Sequence, residues 1–317
     1  MKTGNPSVTI GFTSHRIETI AIAKQSMEEH DIIVTEEAPT PRFTDMLNKK
    51  IPIAEYIREE YLEFPKFSWR YYRLLRQLHY KGKQILQIEP YMERLFLIYE
   101  MFSDGKKPSD VLDIPVLKEV YTAEKKVTAA LLDFYEHSLK SSFQEIVRAV
   151  MRFAGVDAER FRLRDMMRAG AIAKVFTGDK KVYVEAGGIH VFLERELRQK
   201  LRGITDVKAL FLLEPFIRKI SGKKEFLPPG DLLTIHYILD KRKNEHFETL
   251  QASRSLIYII FLNKEEMIPS KTIEAPHIED EIKINEFVSR LTVQQCEELY
   301  GKIHLQKRED ALKALRI

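Results

Sequence analysis

Ser7–Pro39, SVTIGFTSHRIETIAIAKQSMEEHDIIVTEEAP, reads as strand, helix, strand. Val8–Phe12 is a short apolar run of the buried-strand type, and Ile32–Thr35 is a second, β-branched one. Between them Ile17, Ile20, Ala21, Ala23 and Met27 recur at roughly helical spacing, which predicts a helix over Ile17–His30. Such a βαβ unit closes with a right-handed crossover and leaves its two strands parallel. Each strand here also ends in polar chemistry, His15 after the first and Glu36-Glu37 after the second. In an open parallel sheet the C-terminal strand ends line the crevice that binds ligands.

A third stretch repeats the pattern far downstream. Lys181–His190, KVYVEAGGIH, is an apolar strand followed by two glycines and a histidine. Gly187 and Gly188 let the main chain approach a ligand or turn with positive φ, although a plain strand–helix turn favours glycine too. Lys83–Glu89 (KQILQIE) adds a strand with an acidic end, Glu89, stopped by Pro90. Val207–Leu213 is the last expected strand. A lone histidine after a strand is more often a cap or surface residue than a ligand. Three such ends on separate strands are harder to dismiss than any one.

The intervening segments read as helices. Pro39 and Pro41 break the regular pattern, and Thr44–Tyr80 is helical in pieces, interrupted at Pro52 and Pro65. Within it Phe67–Tyr80, FSWRYYRLLRQLHY, reads first as a helix packing its aromatic face on the sheet and second as an aromatic wall over the crevice. A helix is expected from Tyr91 to about Phe102. Val116–Phe153 is a long helical region, Phe161–Ala173 a further helix, and Phe192–Leu201 another. Pro228-Pro229-Gly230-Asp231 is a helix entry signal with Asp231 as N-cap. Leu232–Asp240, Glu248–Phe261 and Ile282–Tyr300 follow as helices.

The expected fold is therefore α/β, a central, largely parallel sheet flanked by helices, with helical insertions and a helical C-terminal region. Residues 1–215 form the core, with insertions at about 43–80 and 105–160, and residues 216–317 form a helical region packed on it, with a homodimer interface as one expectation.

Composition bounds the partners. Across 317 residues, 51 basic and 47 acidic side chains leave a net charge of +4, and the cations are scattered among acids. That balance predicts no nucleic-acid partner, which would need a clustered basic surface. The longest apolar run, Leu256–Leu262, is far shorter than the ~20 residues that span a bilayer, so no membrane is expected. The single cysteine, Cys296, excludes intrachain disulfides and cysteine-cluster zinc sites. The N-terminus MKTGNPSVTIGF has no long apolar region, so no signal peptide and a cytoplasmic location are expected. P-loop, GxGxxG and GxSxG motifs are absent, which argues against an NTPase, a Rossmann dehydrogenase and a serine hydrolase of the α/β class.

Imidazole nitrogens and carboxylate oxygens suit Zn, Mn, Fe or Co, and three such ligands with an open position make a hydrolytic metal site. His15, Glu36 and His190 are the candidate metal ligands for such a divalent ion, which would acidify its bound water and polarise a carbonyl. Glu37, or Glu89, would remain as general base. Arg164-Asp165 lies one helix upstream of the GGIH strand and can aim at the same crevice. For Arg164 a structural ion pair ranks ahead of a clamp on an oxyanion or a substrate carboxylate.

These landmarks resemble the superfamily that joins the Tiki and TraB/PrgY proteins, the erythromycin esterases and the ChaN-like haem-binding lipoproteins, and they come closest to TraB-like members. The resemblance rests on Gly11–His15, on Glu36-Glu37 in IIVTEEAP, on Gly187–His190, on RLRDMMRAGAI (Arg162–Ile172) and on ILQIEP ending at Glu89. It covers roughly residues 7–213. The first motif is Gly-x-x-x-His, as in the esterase branch, where TraB and Tiki proteins have Gly-x-x-His. Phe12 stands where the esterases have Glu. The resemblance implies an α/β core with the motifs clustered at one edge, and functions ranging from metal-dependent proteolysis through lactone opening to haem binding and control of peptide pheromones. The leading expectation is a metal-dependent hydrolase acting on a peptide or ester substrate, with Gly11, Gly187 and Gly188 beside the bound group. The alternative is a non-catalytic protein that holds a peptide, haem or another small ligand.

Overall fold

The apolar runs become five strands, β1 (Ser7–Thr13), β2 (Ile32–Thr35), β3 (Gln84–Gln87), β4 (Lys181–Gly187) and β5 (Asp206–Phe211). The structure is a computed structural model that describes residues 7–60, 62, 64–239 and 242–315. Residues 1–6, on which part of the signal-peptide expectation rests, lie outside the described residues, as does Asp240. All four strand pairings are parallel, in the order β3-β2-β4-β1-β5. The fold is thus α/β with a fully parallel sheet.

The chain divides into two units. The first is drawn from Met1–Tyr121, Arg162–Leu213 and Ile268–Glu274, and the second from Thr122–Phe161, Glu214–Met267 and Ala275–Ile317. In the first, a 3-10 turn (Ile17–Thr19) leads into α1 (Ile20–Glu28), so the helix expected over Ile17–His30 starts and stops short. α2 (Pro41–Leu47), α3 (Ile53–Glu59) and α4 (Pro65–Tyr80) follow β2, and α5 (Pro90–Ser103) and α6 (Pro108–Leu112) follow β3. Pro41, expected to interrupt, instead opens a helix, because at the first helical position its missing N–H is no loss. Pro65 and Pro90 do the same.

α7 (Pro115–Lys140) and α8 (Phe143–Val175) each divide between the units. The separate helix expected at Phe161–Ala173 is the C-terminal part of α8, continuous through Gly155 and Gly170. Between β4 and β5 lies α9 (Val191–Lys200).

Both faces of the sheet are covered. Ile33 and Tyr183 pack with residues of α1 and α4, including Met27, Leu75 and Leu78. Val8, Ile10, Val34 and Val184 pack with Ala169 and Ile172 of α8 and with Leu193 and Leu197 of α9. Strands buried on both sides need continuous apolar runs rather than alternation, which VTIGF and IIV supply. β1 and β4 are neighbours, yet the helices that follow them lie on opposite faces. A crevice opens at such a switch point, outside the carboxyl ends of the strands.

Gly11 sits at this junction for a steric reason. A Cβ there would lie 1.9 Å from the Tyr183 hydroxyl, because the tyrosine ring crosses the strand at that point. Gly11→Ala is expected to cost about 1–3 kcal/mol of stability as overpacking. In a Tyr183→Val background the same change should cost much less, a coupling that a double-mutant cycle by urea denaturation reads out. Equal costs in the two backgrounds would show that Tyr183 is not what excludes a side chain.

The second unit is helical, with α10 (Glu214–Ser221), α11 (Pro229–Ile238), α12 (Glu245–Phe261), α13 (Pro276–Val288), α14 (Val293–Ile303) and α15 (Arg308–Leu315) beside its shares of α7 and α8. Its core gathers Leu256, Ile257 and Phe261 of the apolar LIYIIFL run with Phe143, Leu233, Val288 and the buried Cys296. Pro228, not Asp231, is the N-cap of α11; Asp231 falls inside its first turn. The helix expected over Ile282–Tyr300 is broken in two, and Thr292 starts α14 with a capping box to Gln295. Among the described residues no helix is long and apolar enough to cross a membrane.

Candidate functional site

The three polar strand ends converge. Glu36 follows β2 directly, and its Oε1 lies 2.7 Å from His190 Nε2 while its Oε2 accepts a bond from the Gly187 N–H at 2.6 Å. The other nitrogen of His190, Nδ1, lies 2.5 Å from Asp165 Oδ1 on α8. Asp165 also accepts from the Leu193 N–H at 2.9 Å, so a carboxylate from α8 caps the start of α9 and holds the imidazole that precedes it. His190 is thereby clamped between two carboxylates. Burial opposes its charge, but Glu36 and Asp165 outweigh burial and raise its pKa to about 9. Burial likewise works against ionised Glu36, and His190, Arg168 and Arg164 overcome it and hold Glu36 well below the usual carboxylate range.

Two arginines one helical turn apart complete this network. Arg168 is fully buried and donates to the carbonyls of Ile88 (3.0 Å) and Glu185 (2.6 Å), with Glu36 and Glu89 at 3.5 and 3.8 Å. Arg164 lies 3.5 Å from Glu36 and 3.4 Å from Glu89, and its guanidinium covers the Tyr91 ring. Glu89 is buried between the two cations at the N-cap of α5, a structural position rather than the free base expected of it. Arg164 has the ion-pair role ranked first from the sequence.

A second set of groups gathers where α4 packs against the strands. Tyr71 donates to Glu185 Oε2 at 2.5 Å, and His15 Nε2 lies 3.9 Å from Glu185 Oε1. Tyr72 donates to Glu37 at 2.6 Å, and Gln87 donates to its other oxygen at 2.8 Å. The His15 side chain is 43% exposed, whereas that of Glu185 is 6% exposed. Burial raises the pKa of Glu185 against the pull of His15 and Tyr71. It raises that of Glu37 to about 7, with the Tyr72 and Gln87 bonds acting in the other direction. Three glutamates, two after β2 and one within β4, are thus driven apart, Glu36 down and the other two up.

His15 itself has φ +52°, a left-handed conformation uncommon for a residue with a side chain. Its N–H reaches Thr13 Oγ1 at 3.4 Å, and Thr13 Oγ1 contacts Thr19 Oγ1 at 3.3 Å. The backbone cost is borne where the imidazole is presented to solvent, a pattern common at functional sites.

A Cβ at Gly187 would make only ordinary contacts, 3.5 Å from the His190 ring and 3.7 Å from Glu36 Oε2, and one at Gly188 would meet open space. Neither takes positive φ. The space over Gly11 belongs to Tyr183. Glu185, Tyr71, Tyr72, Gln87 and Arg168 were missed by sequence reasoning. The signal for Glu185 was an acid inside the otherwise apolar strand VYVEA, and for Arg168 its one-turn spacing from Arg164.

His15, Glu36 and His190 do not form a metal donor set. Both nitrogens of His190 are taken by carboxylates, Glu36 on one side and Asp165 on the other, and His15 faces Glu185. Among the described residues no three His, Cys, Asp or Glu side chains are disposed to hold a metal ion. The residues present therefore do not fit the divalent ion expected from the sequence.

The clamp on His190 has a pH signature. Its folded pKa, about 9, lies above the ~6.5 of a free histidine, so its contribution is complete below pH ~6.5 and is lost as pH rises through ~9. The unfolding free energy should fall by about 3 kcal/mol across that window, and His190→Gln should flatten the slope. An undiminished slope in the variant would assign the effect to another group.

Fold and site together define an α/β protein with a histidine–carboxylate–arginine centre at the switch point of a parallel sheet. An uncharacterized protein of Archaeoglobus fulgidus is 32% identical over 289 residues, covering 91% of this chain and 96% of that protein. The chain belongs to the family of that archaeal protein. No family model and no solved structure matches it.

Proposed function

We propose that the protein is a hydrolase that cleaves an ester or peptide bond by general acid–base catalysis, without a metal ion. The observation that carries this reading is the chain Tyr71–Glu185–His15, a buried phenol bonded to a buried carboxyl that faces a half-exposed imidazole. It has the logic of a base oriented by a carboxylate. His15 takes a proton from water as the water oxygen bonds to the substrate carbonyl carbon. Glu185, disfavoured as an isolated buried anion, is supported by the imidazolium that forms beside it. Glu37, with a pKa of about 7, holds a proton in a substantial fraction of molecules at neutral pH. It passes that proton to the leaving oxygen or nitrogen as the carbon–leaving-group bond breaks; His15 then releases its proton to solvent and Glu37 takes one up, which restores both groups. Environments that push neighbouring acids apart are how acid and base roles are divided.

In this scheme the network of Glu36, His190, Asp165, Arg164 and Arg168 takes no part in proton transfer. It fixes the strand ends that carry Glu37 and Glu185. The likeness of Gly11–His15 to the esterase branch points the same way, and makes esters and lactones the first substrates to try.

The assay is hydrolysis of p-nitrophenyl esters and of fluorogenic peptides by chelator-treated protein. The reading predicts turnover that the chelator does not reduce, with an optimum near neutral pH. Turnover that needs added Mn or Zn, or no turnover of either class, would rule it out.

A further inference from the structure

We infer that the outward face of α4, with the turn between α2 and α3, is a binding site for single-stranded nucleic acid. α4 carries Lys66, Arg70, Arg73, Arg76 and His79 and no acidic residue, in a chain whose total charges nearly cancel. Its inward residues Tyr71, Tyr72, Leu75 and Leu78 are buried, which turns Trp69, Arg73 and Tyr80 outward. Trp69 is 43% and Tyr80 56% exposed, unusual for rings of that size on a helix with so much apolar surface to cover.

These rings border two hollows, of about 690 and 370 Å³, with Trp69 and Ala54 lining both. The first is further lined by Lys49, Arg73, Arg76 and Lys81, the second by Arg58, and among the described residues no aspartate or glutamate lines either. Lys81 is held by Glu28 at 2.7 Å. Lys49 and Arg73 instead lie over aromatic rings, Lys49 Nζ 4.3 Å from the Tyr80 centroid and the Arg73 guanidinium 5.4 Å from that of Trp69. Lys49 reaches its place with φ +60°, where glycine or asparagine is cheaper. Arg76 fixes the turn by donating to the carbonyls of Met46 (3.0 Å) and Ile51 (3.1 Å).

A basic groove that interleaves cations with exposed rings matches the chemistry of an unpaired strand, phosphates on the cations and bases on the rings. A membrane surface would not enter a concave groove, and an acidic peptide would leave the rings without a role. The inference stands apart from the proposed hydrolase, because Tyr71 and Tyr72 serve that site from the other face of α4. The near-neutral total of charges conceals this cluster, so the sequence-level expectation of no nucleic-acid partner does not extend to it.

Trp69 is the only tryptophan in the chain, so its emission reports directly on the groove. Labelled oligo(dT) and oligo(U) should bind the full-length protein with quenching of Trp69. Affinity should fall by roughly 20-fold between about 50 and 200 mM salt if about three phosphates are neutralised. Arg73→Glu should weaken binding about tenfold or more. Lys49→Gly should also weaken it while leaving the melting temperature equal or higher, because glycine accepts the backbone conformation freely. That pairing separates lost binding from lost folding. No binding, binding indifferent to both variants, or equal binding and quenching by oligo-glutamate or phosphatidylglycerol vesicles would each overturn the inference.

Discussion

His15→Ala is expected to hydrolyse the ester probe about 10²–10⁴-fold more slowly than wild type, the range for loss of a positioned acid–base group. Its stability should stay within about 0.5 kcal/mol of wild type or rise slightly, because the side chain is 43% exposed and its backbone is left-handed. Glu185→Gln should lose a comparable factor, since its neutral amide cannot support a forming imidazolium. The double variant should be little worse than either single one, as for residues that act as a unit. His79→Ala, whose imidazole bonds Asn48 at 3.2 Å and meets the Tyr80 ring edge-on, is the matched control and should leave turnover unchanged. A His15→Ala enzyme with full turnover would remove the base from the scheme, and additive losses would separate His15 from Glu185.

Arg168→Met should lower the unfolding free energy by about 3–5 kcal/mol, the cost of removing one partner from a buried ionic network. The arginine is fully buried, ties the carbonyls of Ile88 and Glu185 together, and neutralises Glu36 and Glu89. Methionine fills much of the volume but leaves two carbonyls unbonded and shifts the burden of both carboxylates to Arg164. Arg164→Met should cost less, because that side chain is 17% exposed and water can replace part of it. Urea denaturation with an unchanged slope reads the difference. A loss under about 1 kcal/mol for Arg168→Met would mean that the network is solvated and does not brace the strand ends.

The central strands β1, β2 and β4 were legible because they are buried and therefore appear as largely apolar runs. Glu36, Glu37, Asp165 and His190 were legible because each stands at the end of such a run or on the helix facing it. What the sequence concealed was pairing. Nothing in EEAP says that Glu36 meets His190 while Glu37 meets Tyr72 and Gln87, residues 35 and 50 positions away. Glu185 was hidden because it lies inside a strand, where alternation turns it from the α8–α9 face toward α4. The commitment of His190 to two carboxylates, which takes it out of the expected donor set, is likewise beyond what local spacing reveals. Pro41 misled in a different way, since a proline that breaks a regular pattern can equally open a helix at its first position.

The central claim is that β4 and the end of β2 bring together three glutamates whose acidities are pushed in opposite directions, Glu36 down and Glu37 and Glu185 up. Carbon-13 NMR of protein labelled at the glutamate side-chain carboxyl, assigned with Glu36→Gln, Glu37→Gln and Glu185→Gln, reads those acidities directly without a substrate. The account predicts that Glu37 titrates near pH 7, that Glu185 also titrates above the usual carboxylate range, and that Glu36 stays ionised to well below it. Three carboxyls titrating together near the ordinary value of about 4.3 would contradict it.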